Sequence, residues 1–136
     1  RMAVFNLEDG VPFYHLRASS GDTTEVGEIE TGHFYLAFDA DGQLLSPFVD
    51  PAVVFGQNTA LNGPDGFLAQ PLADLGQRRQ ITTGRTPCGF FGASAILEPG
   101  EAKVLYSIIG HDGSIEQVNR ELARLSMPAN VRQKRQ

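Results

Sequence analysis

The run HFYLAF at residues 33–38 places Phe34, Leu36 and Phe38 on one side of an extended chain and His33, Tyr35 and Ala37 on the other. Period-two alternation marks a strand, and apolar residues on both sides mark one covered on two faces, at the centre of a sheet. The run enters Asp39-Ala40-Asp41-Gly42, a turn with glycine available for positive φ. Its Asp-x-Asp-Gly opening resembles the start of a calcium loop, but Ser46 and Phe48 follow where acidic ligands are needed. A plain turn is expected. Upstream, Tyr14, Leu16 and Ala18 alternate with Phe13, His15 and Arg17, and this strand closes at Ser19-Ser20-Gly21-Asp22.

Downstream, the sequence GASAILEPGEAKVLYSIIG at residues 92–110 predicts a hairpin. Its turn, Glu98-Pro99-Gly100-Glu101, has the type II signature of a fixed φ followed by a positive one. Val104, Tyr106 and Ile108 form one stripe of the second strand, and Leu105, Ser107 and Ile109 the other. A helix follows. Ser114 can cap it, Gln117 completes a capping box, and Ile115, Val118, Leu122 and Leu125 form one apolar stripe. Glu116 and Arg120 make an i,i+4 pair, and Pro128 is expected to end the helix. A shorter helix is expected at residues 71–77 with Leu72 and Leu75 inward. Many short strands with little helix predict a mainly β chain, an antiparallel β-sandwich with a C-terminal α-helix. The boundaries read as residues 1–112 for the sandwich, 113–127 for the helix and 128–136 for a linker or basic tail.

The stretch VDPAVVFGQNTALNGPDGF at residues 49–67 is dense in turn formers. Val53, Val54 and Phe55 are fit for a short buried strand, and the surrounding breakers would let it end abruptly and switch sheets. Asn58 and Thr59 could satisfy backbone groups at such a corner through their side chains. A second reading makes Gln57 and Asn58 exposed amides that bind sugar hydroxyls, with Phe55 or Phe67 as the neighbouring aromatic.

The chain has 136 residues, the size of one domain, and 41 % of them are apolar, enough for a core without staples. Cys88 is the single cysteine, so no internal disulfide and no cysteine-based metal site can form. It reads as a small buried apolar residue. A net charge of −5 argues against nucleic acid as a partner. The basic cluster Arg132-Gln133-Lys134-Arg135 reads as a frayed, solvated tail. No apolar run approaches the ~20 residues that cross a bilayer, so no membrane partner and a cytoplasmic location are expected. His15, His33 and His111 are not spaced as ligands, and no metal is expected. Glu28 and Glu30 fall two apart with Glu25 on the other parity, the pattern of a wet strand face rather than of paired catalytic carboxylates. The chain opens on Arg1 without a preceding Met, and is read as a piece of something larger.

Four segments in order carry a resemblance: residues 4–38 ending in GHFYLAF, then LLSPFVDPAVVFGQNTAL at 44–61, then TPCGFFGASAILEPGE at 86–101 and IIGH at 108–111. Over residues 2–125 the chain resembles a β-sandwich domain of the cellobiose-phosphorylase-like β-glucan phosphorylases, glycoside hydrolase family 94 and relatives. The resemblance implies a supersandwich-like fold standing before a helical linker and an (α/α)6 barrel. In such enzymes the barrel holds the general acid and the phosphate site, and inorganic phosphate is the co-substrate of an inverting cleavage. It implies no cofactor, and no catalytic residue in this chain. The partners it implies are the barrel of the parent enzyme, an oligosaccharide and a second copy in a homodimer. Gln57 and Asn58 would then line a substrate mouth. The alternatives are a free-standing carbohydrate-binding module, against which the absence of Trp counts, and a small jelly-roll enzyme, against which the missing His/Glu ligand set counts.

Overall fold

The computed structural model describes residues 2–16 and 31–133. At its centre is the strand that alternates most clearly, β3 (Gly32–Asp39). With β1 (Met2–Phe5), β2 (Phe13–Leu16) and β6 (Leu105–Asp112) it forms a four-stranded antiparallel sheet in the order β1-β2-β3-β6. The register sets Phe13 opposite Phe34, Leu36 opposite Ile108 and Phe38 opposite Tyr106. Phe34, Leu36 and Phe38 are all buried, as the alternation requires. The strand expected through Ala18 is described only to Leu16; Ser19 to Asp22 and the Glu25, Glu28 and Glu30 face lie outside the described residues.

One face of this sheet carries the main core. Phe34, Leu36 and Phe38 meet Val11, Phe13 and Val118, with Tyr106, Ile108, Ile115, Leu122 and Leu125 packed around them. The helical side is α4 (Ile115–Leu125), whose stripe turns onto the sheet as its spacing dictates. The Ser114 hydroxyl accepts from the Gln117 N–H at 3.3 Å, which forms the Ser114 half of the capping box. Pro128 does not merely end this helix. α4 closes at Leu125, where the Ser126 N–H donates to Leu122 O, and Pro128 begins α5 (Pro128–Gln133). Proline is suited to a first helical position because its missing N–H would have no partner there. Residues 128–133, expected as linker or tail, therefore bring Val131 into the core, and Arg132 Nε donates to the Tyr106 hydroxyl at 2.8 Å.

The opposite face is covered in part. β4 (Ser46–Phe48) and β5 (Phe90–Gly92) pair antiparallel. The Phe91 ring meets Tyr35 edge-on at 4.7 Å, and the Tyr14 hydroxyl donates to Cys88 O at 2.9 Å. Behind them Phe48, Val53, Val54 and Leu75 form a second, smaller core.

Val53, Val54 and Phe55 are not a strand. They belong to α1 (Pro51–Phe55), followed by α2 (Asp65–Leu68) and α3 (Leu72–Gly76). Asp50 accepts from the Ala52 N–H at 3.0 Å, and Pro51 sits in the first turn. Asp-Pro is thus a helix start, and the cap outweighs the β-preference of two valines. Gly56, at φ 61°, ends the turn. The shorter helix expected at 71–77 is α3, with Leu75 buried and Leu72 half-buried. The hairpin expected at 92–110 does not form: only Gly92 of its first strand lies in a strand, β5, which pairs with β4, while its second strand, β6, pairs with β3 in the other sheet. The turn at 98–101 is formed, with the Glu101 N–H donating to Glu98 O at 2.9 Å and Gly100 at φ 86°. Residues 93–98 find no ladder partner among the described residues, and a strand without a ladder is not a strand.

Candidate functional site

The loop after α1 holds the amides singled out in the sequence. Asn58 is its hub. The Asn58 amide N–H groups point at Asn62 Oδ1 (2.9 Å), Asp65 Oδ2 (3.1 Å) and Gly63 O (3.3 Å). The Leu61 N–H donates to Asn58 O, with Leu61 at a positive φ of 54°. The loop closes tightly because Gly66 packs against α1, where a Cβ would stand 2.5 Å from Val53 O. Asn58 is therefore half-buried and its donors are spent on the loop itself. Gln57, one residue earlier, is exposed.

The far end of this loop opens on an apolar pocket of about 230 Å³ lined by Phe48, Val54, Pro64, Phe67, Phe90 and Phe91. Phe67 and Phe90 show about two-fifths of their surface, and Phe90 is braced edge-on by Phe55 at 5.6 Å. Exposed aromatic faces can receive the C–H face of a sugar ring, but the polar groups of the adjoining loop, Asn58 and Asp65, are bonded to each other and the pocket lining itself is apolar. Both aromatics named from the sequence, Phe55 and Phe67, lie in this region; Phe90 and Phe91, far along the chain, join them only through the fold.

A polar knot missed by the sequence reading positions this region. Asp50 is buried; besides capping α1 it accepts from the Ile81 N–H at 2.9 Å, and Arg85 approaches it to 3.9 Å. Gln80 Oε1 accepts from Val49 N–H (2.7 Å) and Asp50 N–H (3.3 Å), while its Nε2 donates to Pro47 O (3.0 Å). The readable signal was the Asp-Pro pair; nothing local foretold Gln80.

Other chemistry is muted. The Cys88 thiol donates weakly to Phe48 O at 3.5 Å, and burial above all, with Asp50 adding to it, pushes its pKa up to about 11. Burial likewise raises the Tyr14 phenol. His33 and His111, distant in sequence, sit opposite each other on β3 and β6 with ring centroids 4.9 Å apart. Among the described residues, no cluster of three or more His, Cys, Asp or Glu side chains could hold a metal, and no helix is long and apolar enough to cross a membrane. No family model, characterised protein or solved structure matches the chain.

Proposed function

We propose that this chain is the non-catalytic β-domain of an inverting β-glucan oligosaccharide phosphorylase, shaped to support a separate (α/α)6 barrel. The observation that carries the reading is the exposure of three apolar side chains, Ile96, Leu97 and Val104, flanking a charged turn that bears Glu98, Glu101 and Lys103. Ile96 is 93 % exposed, and Leu97 and Val104 are about half exposed, on the segment between β5 and β6, beside Asp39, Ala40 and Asp41 at the end of β3. Side chains of this kind mark a contact surface rather than a finished exterior. The resemblance over residues 2–125 names the barrel as the covering body. The acid and the phosphate site belong to that barrel, and Gln57 with the Phe67 and Phe90 rings would border its substrate mouth.

The test is reconstitution. Alone, the chain should release no sugar 1-phosphate from β-glucan oligosaccharides and phosphate. Mixed with a separately expressed barrel of such a phosphorylase, it should raise phosphate-dependent turnover, and Ile96→Lys should abolish the gain. No gain with any barrel, or turnover by the chain alone, overturns the proposal.

A second reading, a free-standing carbohydrate-binding module, is favoured by the part-exposed Phe67 and Phe90 at one apolar pocket. It requires oligosaccharide binding by the chain alone, lost in Phe67→Ala and indifferent to Ile96→Lys.

A further inference from the structure

We infer that His33 and His111 form a two-imidazole site for a divalent transition ion of the zinc, nickel or copper kind, on the sheet face that β4 and β5 leave partly open. This does not rest on the proposed function, which uses neither residue.

The two histidines are far apart in sequence and neither lies in a local ligand pattern; the register of the sheet joins them. β3 and β6 pair over eight positions, and at the second of these His33 stands directly opposite His111. Opposed residues of an antiparallel pair point to the same side of the sheet, with Cβ atoms about 4.5–5.5 Å apart. That side also bears Tyr35, one step along β3, on which the Phe91 ring packs. Both imidazoles are exposed there, so an ion can reach them from solvent. Tyr14 flanks His33 from β2, but its hydroxyl is engaged at Cys88 O. His15 stands opposite Gly32, shares the parity of Phe13, and so points to the other side of the sheet.

The ring spacing fits a shared ion. A zinc–imidazole bond of about 2.0–2.1 Å sets each ring centroid about 3.2 Å from the metal. Two rings on one ion, at an angle between about 90° and about 109°, then have centroids about 4.5–5.2 Å apart. The His33 and His111 centroids are 4.9 Å apart. Their planes meet at 63°, and the soft outer torsion of each side chain lets a ring nitrogen turn toward the shared point. The donors select the ion: imidazole suits zinc, copper and nickel, whereas calcium and magnesium require oxygen. Holding both rings on one ladder makes the second bond intramolecular, which is the gain of a pair over a single histidine. Two protein ligands leave the remaining positions to water, so the ion is exchangeable. Bound to the folded chain, it ties β3 to β6 and adds to stability.

Titration of the chain, free of any histidine tag, with Zn²⁺ tests this by calorimetry and by the imidazole proton resonances. One ion per chain should bind, the His33 and His111 resonances should shift while those of His15 stay in place, and saturating Zn²⁺ should raise the melting temperature. His33→Ala and His111→Ala should each weaken binding by about tenfold or more and remove the melting shift. Both side chains are exposed, so the metal-free variants should melt close to the parent. The resonance shifts are read on the unmodified chain and do not depend on any variant folding. Ni²⁺ should compete for the site and Ca²⁺ should not. No Zn²⁺ binding, binding that survives in both variants, or an equal loss in His15→Ala overturns the proposal. No arm contains a barrel or a sugar, so the outcome is separate from that of the reconstitution test.

Discussion

Asp50 is where the local chemistry of the second core is decided. Its carboxylate serves the Ala52 N–H of α1 with one oxygen and the Ile81 N–H with the other, and its own N–H meets Gln80. Asp50→Ala strands buried donors at once and should cost about 1–3 kcal/mol, read by thermal or urea melting. Asp50→Asn should recover only part of this, because its amide can accept on one side but would turn an N–H toward another donor on the other. A melt of Asp50→Ala matching the parent would show that the knot contributes nothing. Cys88 gives a pH signature. Its thiol stays neutral in the fold up to about pH 11, against an ordinary value of 9.0. The unfolded chain therefore loses that proton first, and stability present below about pH 9 should decline as pH rises toward about 11. Cys88→Ala should remove this part of the alkaline decline. The buried Tyr14 phenol acts in the same direction at higher pH.

At the scale of elements, legibility followed periodicity. β3 and α4 each carry an apolar stripe that repeats several times, and both formed where expected, with the Ser114 cap in place. Short segments offered less. Three apolar residues at 53–55 suit a strand or one helical turn equally well, and the cap at Asp50 and Pro51 chose the turn. Residues 93–98 have a strand-like composition, yet whether they pair depends on a neighbour that no local pattern specifies. Of the candidate amides, the loop role of Asn58 was readable from the density of turn formers, whereas the pocket of Phe67 and Phe90 required the whole fold. The helix offers a graded test of packing. Val118 is 1 % exposed, and Val118→Ala should cost about 1–3 kcal/mol. Leu122→Ala, half-buried against the same core, should cost a similar amount. Glu121→Ala, which removes only a surface pair with Arg124, should stay within about 0.5 kcal/mol. Equal melting of Val118→Ala and Glu121→Ala would mean that α4 is not docked on the sheet.

For the whole molecule, the sheet is covered by helices on one face and only in part, by β4 and β5, on the other. The account rests on that asymmetry: β3 buries Phe34, Leu36 and Phe38 on the helical side, while Leu105, Ser107 and Ile109 of β6 and the side chains of Ile96, Leu97 and Val104 are exposed. Hydrogen exchange on the dilute, monomeric chain, with and without a separately expressed phosphorylase barrel, measures it most directly. Amides of β3 should exchange only on global opening in both samples. Amides at 96–104 should exchange quickly in the chain alone and slow by orders of magnitude when the barrel is bound. If 96–104 is already as protected as β3 in the chain alone, or stays fast beside a saturating barrel, the domain has no missing layer and the scaffold account is contradicted.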